Sequence, residues 1–315
     1  MNNEDSMRFF EENYKVIARG NFSRGEKHLI STGKSRICRF CCESEPKTTF
    51  KNESHAIPEC LGNHQLILLD ECDACNKYFS ENLEDHLDKY TKPYRIAGQI
   101  MGKRGIPSYK SKNKKNRIDF DGTPTVKAEA GENFFTVDHE TRTITINFHQ
   151  EPHIPLAVYK SLVKIAISVI EDENELTAFA LTSYWLLHAR GSHSIISPAI
   201  LMETFIPGPR PIEGVSFTLF RKKAEELNVP YAIFVIGFGN IVFQIIVPSM
   251  HDMKKSITLE MPFMPIGTLF DESKYGSPKQ RYRDVSGAEK TSSDFPITFN
   301  FDQMIKISQK NFEEQ

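Results

Sequence analysis

The sequence predicts an α+β protein with a mainly antiparallel sheet, preceded by a small cysteine-rich domain. Apolar segments separated by turn residues follow one another between 214 and 263, as consecutive antiparallel strands do. Segments with helical periodicity precede them, and the two kinds of element together give an α+β architecture. All six cysteines lie within residues 38–75, so the front of the chain forms a domain of a different kind.

The composition is typical of a soluble globular protein of the cytoplasm. A length of 315 residues is enough for two domains, each with its own core. No early segment has the basic-then-apolar layout of a signal peptide. The most apolar stretch begins at Tyr231, but Gly237, Gly239 and Asn240 interrupt it before it reaches the roughly 20 residues that span a bilayer. We therefore expect buried strands there and no contact with a membrane.

Charge is divided unevenly along the chain. Residues 1–117 hold 21 Lys and Arg against 16 Asp and Glu, a balance of +5, whereas residues 118–315 hold 18 against 25, a balance of -7. A basic front half suits a polyanion such as nucleic acid, and an acidic back half suits solubility or protein contacts.

Two helices are predicted in the front half. The first is a docking helix from Glu4 to Ala18, where apolar residues recur at three- and four-residue steps, and Gly20 can end it. The second follows the last cysteine pair, keeps apolar residues near helical spacing up to Tyr90, and is expected to stop at Pro93.

Residues 103–117 are predicted to be a basic linker. They carry seven Lys and Arg side chains and no acidic one, and glycine and proline break regular structure. Two interpretations stay open. The segment is either a solvated flexible connector or an arm that contacts the phosphates of a nucleic acid.

The back half predicts a hairpin, two helices and four strands. Residues 133–149 alternate between apolar and polar on both sides of a "DHET" turn, as a hairpin does. The segment from Leu156 to Gly191 predicts two buried helices, of which the second contains Trp185. Four apolar segments then predict strands, at 214–223, 231–238, 240–248 and 256–263.

The cysteines form two knuckles. In Cys38-x2-Cys41 and in Cys72-x2-Cys75, two intervening residues let both sulfurs turn toward one ion at ~2.3 Å with the tetrahedral geometry of zinc. Disulfides are not expected without a secretion signal. Four thiolates leave no open position for water or substrate, so the zinc is expected to be structural and any catalysis to lie elsewhere.

The motifs "CRFC", "SHAIP", "LGN" and "CDACN" follow one another within residues 36–92. Their order and gaps resemble the HNH endonucleases of the zinc-knuckle kind. In that family a Cys-x-x-Cys pair is followed by an acidic residue and His before an apolar pair and Pro. Gly-Gly or Gly-Asn comes next, and then Cys-x-x-Cys-Asn or Cys-x-x-Cys-His opens a helix. The resemblance implies the ββα-metal fold, a β-hairpin followed by a helix.

The resemblance also implies roles for three residues. His55 is the general base that removes a proton from the attacking water, to which an imidazole with a pKa of ~6.5 is suited. Asn76 binds Mg²⁺ or Mn²⁺ through its side-chain carbonyl, and the ion neutralises charge on the scissile phosphate and the leaving oxygen. Asn63 holds the hairpin and fixes the orientation of the imidazole.

The sequence departs from the family pattern at Ser54, where the family has Asp, Glu or His as the second ligand of the catalytic metal. Three alternatives follow. The protein is an active nuclease with a water-rich metal site at Ser54, or a nuclease in which Glu53 or Glu84 supplies the carboxylate, or a degenerate domain that binds without cutting. Glu53 would need an irregular backbone, because neighbouring residues of a strand point to opposite faces.

The sequence thus predicts a metal-dependent HNH endonuclease that hydrolyses phosphodiester bonds in DNA, and the resemblance implies a restriction or anti-phage context. The predicted domains are a nuclease domain (1–102), the basic linker (103–117) and an α+β accessory or regulatory domain (118–315) that provides specificity, dimerisation or a partner contact. One alternative is a zinc-containing nucleic-acid or protein binding module whose catalytic centre has decayed at Ser54. Another is an RNA-directed nuclease.

Overall fold

The protein is a mixed α+β structure. The computed structural model describes residues 3–23, 25–33, 36–103, 105–111, 115–121, 123–128, 134–188, 198–253, 261–266 and 271–305. The helices are α1 (Asn3–Asn13), α2 (Asp73–Phe79), α3 (Asp85–Ala97), α4 (Pro155–Ser168), α5 (Glu173–Thr177), α6 (Ala180–Leu186) and α7 (Glu272–Tyr275). The strands are β1 (Tyr14–Phe22), β2 (His28–Ile30), β3 (Ser54–His55), β4 (Leu66–Leu68), β5 (Tyr109–Lys110), β6 (Arg117–Asp121), β7 (Thr123–Lys127), β8 (Phe135–Asp138), β9 (Thr143–His149), β10 (Ile200–Phe205), β11 (Ile212–Lys222), β12 (Ala232–Gly239), β13 (Ile241–Val247), β14 (Lys279–Asp284) and β15 (Asp294–Asn300).

The chain divides into two compact units. Unit 1 comprises Met1–Pro107 and Glu151–Ser292, and unit 2 comprises Ser108–Gln150 and Ser293–Gln315. This division differs from the predicted one, because most of the segment 118–315 shares a unit with the cysteine-rich segment. The two parts of unit 1 are distant in sequence and are joined by long-range packing.

Unit 1 contains a six-stranded sheet in the order β1-β11-β12-β13-β10-β14, and each neighbouring pair is antiparallel. The predicted strands at 214–223, 231–238 and 240–248 are confirmed as β11, β12 and β13. Of the fourth predicted strand, residues 256–260 lie outside the described residues, and the rest forms no strand.

The predicted N-terminal helix is wrong in its second half. Helix α1 ends at Asn13, and Tyr14 begins strand β1, which pairs with β11 along its length. Backbone pairing with a distant strand overrides the helical periodicity of these residues. Gly20 has a packing role inside the strand, because a Cβ there would lie 2.2 Å from the Phe22 ring and 2.8 Å from the Phe217 ring.

Pro93 does not end the second predicted helix. The helical path runs from α2 through one turn of π-helix (Ser80–Glu84) into α3, which contains Pro93 and ends at Ala97. Tertiary contacts on both sides of the proline hold α3 in place. The hydroxyls of Tyr90 and Tyr94 donate to the carboxylate of Glu203, a buried residue of β10.

Helix α4 is buried on all of its faces, from Leu156 to Ser168. The Tyr159 hydroxyl donates to the Ile246 carbonyl of β13 at 2.6 Å, which joins the helix to the large sheet. The second predicted helix is instead two short ones, α5 and α6, and Trp185 lies in α6. A helix with buried residues on every side must be enclosed by other elements, so α4 lies in the interior of unit 1.

Unit 2 is formed by short antiparallel strands. The predicted hairpin is confirmed, since β8 and β9 pair around a turn at 139–142, and β15 pairs with the other edge of β9. The Tyr109 ring stacks on Phe134 and meets Phe148 edge-on, with centroid distances of 5.5 Å and 5.2 Å. Parts of the predicted linker belong to β5 and β6, and residues 104 and 112–114 lie outside the described residues.

None of the helices in the described parts of the chain has the length and hydropathy that crossing a membrane requires.

Candidate active site and metal centre

The four knuckle cysteines come together in unit 1. The sulfurs of Cys38, Cys41, Cys72 and Cys75 all lie within 4.8 Å of one another, and Cys41 Sγ is 3.8 Å from Cys72 Sγ. A tetrahedral ion bonded to sulfur at about 2.3 Å keeps its ligands about 3.8 Å apart. The cluster therefore fits a zinc ion.

The thiols of this cluster also favour a cation on electrostatic grounds. The hydrogen bond with Cys75 lowers the pKa of Cys38, whereas burial raises the pKa of Cys41. One thiolate therefore forms readily, but further negative charges in this space repel each other. A divalent cation removes that repulsion and stabilises four thiolates at once.

Local hydrogen bonds shape the first knuckle. Cys42 N–H donates to Cys38 O, and Cys38 N–H donates to Glu43 O, both at 2.9 Å. This tight turn places Cys42 at a positive φ of 59° with an exposed side chain. Glycine adopts that conformation without the steric cost that a Cβ adds.

We expect Cys42→Gly to leave the free energy of unfolding unchanged or to raise it by up to about 1 kcal/mol, because the substitution relieves the left-handed backbone. Zinc content should stay the same. Cys42→Val is the matched contrast and should be destabilised, since β-branched side chains resist positive φ. Denaturant unfolding with metal analysis measures both effects. Loss of zinc from Cys42→Gly would contradict the assignment of Cys42 as a turn residue outside the cluster.

The sequence motif that follows the first knuckle forms a small hairpin. Ser54 and His55 make up β3 and pair antiparallel with Leu68 and Ile67 of β4. Strand β2 lies parallel on the other edge of β4. Helix α2 begins five residues after β4, with Cys72 directly before it in an extended conformation.

Asn63 closes the loop between β3 and β4. Its side chain is buried, donates to the carbonyl of Ile57 at 2.6 Å, and accepts from the backbone N–H groups of Gln65 and Leu66 at 3.1 Å and 2.9 Å. One amide thus satisfies buried backbone groups at both ends of the loop. Asn63 therefore holds the loop that joins the two strands.

The imidazole of His55 has one enclosed and one accessible edge. Its Nδ1 is buried without a hydrogen-bond partner in the described part of the chain, and its Nε2 lies 3.9 Å from the Glu59 carboxylate. Burial lowers the pKa of His55, and the carboxylates of Glu59 and Glu53 act in the opposite direction with a smaller effect. The ring is therefore neutral at pH 7 and able to accept a proton.

The candidate ligands of the catalytic metal are not equally available. Ser54 is 1 % exposed, and its hydroxyl has no hydrogen-bond partner among the described residues. Glu53 is exposed and forms an ion pair with Lys27. Glu84 accepts a hydrogen bond from a buried lysine, as described below. Asn76 lies half-buried on α2, where its N–H donates to Cys72 O at 2.9 Å.

A buried lysine of α4 connects these elements. Lys164 is 1 % exposed, and its Nζ lies 3.2 Å from the His55 carbonyl oxygen, 3.1 Å from a Glu84 oxygen and 3.1 Å from a Glu71 oxygen. Burial raises the pKa of Glu71 to about 7. Two carboxylates and one ammonium thus share an enclosed space behind the strand that carries His55.

A second buried ion pair joins the first knuckle to α4. Arg39, between the cysteines of that knuckle, binds both carboxylate oxygens of Asp70 at 2.7 Å and 2.9 Å. Its Nη1 donates to the carbonyls of Ile167, Ser168 and Ile170 at 2.9–3.0 Å. A guanidinium there satisfies the free carbonyls at the end of the helix and interacts favourably with the helix dipole.

Sequence reasoning missed the contributions of Arg39, Glu59, Glu71 and Lys164. The signal for Lys164 was available, because a lysine inside a helix this rich in apolar residues needs a buried partner. The others lie within or directly beside the recognised motifs. Their roles depend on contacts between residues as far as 131 apart in sequence, which no local pattern indicates.

Comparison with protein-family models, curated proteins and solved structures gives no match for this chain. A functional assignment therefore depends on the chemistry and geometry of the chain's own residues.

Proposed function

We propose that this protein is a metal-dependent endonuclease of the HNH type that hydrolyses phosphodiester bonds in DNA. One observation carries the proposal: His55 lies on a short hairpin that Asn63 closes, and a helix that carries Asn76 follows, opened by the second pair of a four-cysteine cluster. A basic front half, +5 in residues 1–117, is consistent with a polyanionic substrate.

In this proposal His55 is the general base. Its accessible Nε2 takes a proton from a water molecule that attacks phosphorus. Asn63 fixes the loop and so the strand that presents the ring, and Lys164 holds the same strand through the His55 carbonyl. The cysteine cluster binds a structural zinc, which keeps hairpin and helix together.

The residues fit a magnesium or manganese ion that keeps most of its water. Among the candidate ligands, Ser54 is enclosed, Glu53 is paired with Lys27 and Glu84 is bound to Lys164. Asn76 is the protein oxygen ligand that remains. Magnesium often binds through one or two protein oxygens together with waters and substrate phosphate. When bound, the ion would neutralise charge on the phosphate.

The test is cleavage of supercoiled plasmid by the purified protein with magnesium or manganese. We expect wild type to nick or linearise the plasmid and His55→Ala and Asn76→Ala to be slower by a factor of about 10² to 10⁴. His139→Ala, which changes an exposed histidine of unit 2, is the control and should cut as wild type does. An RNA substrate of the same sequence distinguishes an RNA-directed nuclease. Equal cutting by wild type and His55→Ala would contradict the proposal.

The second candidate function is a zinc-containing module that binds nucleic acid or protein without cutting. The observation that favours it is the state of position 54, where an enclosed hydroxyl stands in place of a carboxylate. In the same assay, a wild type that binds the plasmid but leaves it intact in both metals would support this function. The context of restriction or anti-phage defence is a hypothesis that neither outcome decides.

A further inference from the structure

We infer that the Glu59 carboxylate binds the attacking water together with His55. This inference rests on the proposed endonuclease function and adds a catalytic residue to it. Glu59 follows the "SHAIP" motif directly and begins a single turn of 3₁₀-helix (Glu59–Leu61).

The other acidic residues near His55 have partners of their own. Glu53 is paired with Lys27 on the surface, and Glu84 is paired with Lys164 in the interior. Glu59 instead directs one carboxylate oxygen to the accessible edge of the His55 ring. The side chains of His55 and Glu59 are 20 % and 26 % exposed, so both groups reach solvent.

The separation of the two groups is suited to a shared water. His55 Nε2 and Glu59 Oε2 are 3.9 Å apart, which is longer than a direct hydrogen bond. A water that donates one hydrogen bond of about 2.8 Å to each group spans such a gap when the two bonds are nearly perpendicular. The water is then held with one O–H directed at the nitrogen and the other at the carboxylate. A lone pair stays free to attack phosphorus.

Burial of Nδ1 determines which ring nitrogen of His55 acts as the base. Nδ1 is closed to solvent, so only Nε2 can meet a water that also reaches a phosphate. In the reaction the water oxygen forms a bond to phosphorus and its proton passes to Nε2. The bond from phosphorus to the leaving sugar oxygen breaks, and that oxygen takes a proton from solvent. Glu59 keeps its charge throughout.

His64 lies on the opposite side of the Glu59 carboxylate. Its Nδ1 lies 3.7 Å from the second carboxylate oxygen of Glu59, and its Nε2 is 3.2 Å from the carbonyl of Met101. A carbonyl oxygen only accepts, so Nε2 carries a proton and fixes the ring. The carboxylate is thus placed between two imidazoles, with one oxygen directed at each.

The experiment compares Glu59→Ala and Glu59→Gln with wild type in steady-state cleavage of a DNA duplex, at several manganese concentrations. Glu59→Ala should lower kcat about 10- to 100-fold, because the water loses its second anchor, and should leave KM for DNA unchanged. Glu59→Gln, which keeps an acceptor oxygen but loses the charge, should be intermediate. Zinc content and melting temperature should match wild type, since the side chain is partly exposed.

Glu45→Ala is the matched control, because it removes an exposed acidic side chain between the two cysteine pairs that already has a partner, Arg36. It should cut at the wild-type rate. A Glu59→Ala enzyme as fast as wild type would overturn the inference, and so would full recovery of kcat at high manganese, which would make Glu59 a metal ligand instead. A wild type that does not cut DNA would overturn the proposed function itself, and it is measured first.

Discussion

Cys72→Ser is expected to remove zinc from the protein and to unfold more than the cysteine cluster. Wild type should contain about one zinc per chain, and a structural zinc of this kind contributes about 10 to 16 kcal/mol of binding energy at pH 7. The loss of structure should extend beyond the cysteine cluster, because Arg39 of the first knuckle donates to carbonyls at the end of α4. Helix α4 is buried along its length in unit 1. Metal analysis and thermal unfolding measure the two effects, and a chelator should reproduce them in wild type.

Cys60→Ser is the control for this substitution. Cys60 lies on the loop between the knuckles but outside the four-cysteine cluster, so the Cys60→Ser protein should keep its zinc. A Cys72→Ser protein that melts at the wild-type temperature, or a wild type that folds fully without zinc, would contradict the structural role of the metal.

Lys164→Met is expected to destabilise the protein by about 3 to 5 kcal/mol and to slow DNA cleavage. The substitution leaves buried Glu71 and partly buried Glu84 without their ammonium, and breaking a buried ion pair from one side has this cost. It also removes the donor that holds the His55 carbonyl. Denaturant unfolding gives the stability, and the plasmid assay at a temperature where the variant is folded gives the activity.

A double variant separates charge from packing. Adding Glu71→Gln to Lys164→Met removes one of the stranded charges, so the double variant should be more stable than Lys164→Met alone. Activity should not return with it, because the donor to His55 is still missing. If Lys164→Met is as stable as wild type, or if the double variant is less stable than the single, the buried ion cluster does not hold unit 1 together.

Much of the candidate site is predictable because its signals are local. The Cys-x-x-Cys spacing of each pair predicts a knuckle, and two knuckles together fill one tetrahedral site. The sequence therefore places Cys38 and Cys72 in one cluster. Asn63 is the hardest residue of the motif to assign from sequence, since His64 and Gln65 lie beside it. Its hydrogen bonds to both ends of the loop explain why an amide stands there.

The acidic residues could not be ranked from sequence. Glu53, Glu59 and Glu84 all lie near His55 along the chain or along a predicted helix, and nothing in their spacing indicates which of them faces the His55 ring. In the structure Lys27 pairs with Glu53, and Lys164 pairs with Glu84. Both pairings depend on folding of distant segments, and Lys164 belongs to the region that was expected to form a separate domain.

By itself, the sequence determined the elements whose cause is local: the two knuckles, the strands β11 to β13, the hairpin of unit 2 and the turn that Asn63 closes. Tertiary structure alone decided that residues 14–22 become a strand, that Pro93 stays inside a helix, and that α4 lies behind the His55 strand. The reason is that backbone pairing and burial over long sequence separations contribute more free energy than local propensity does.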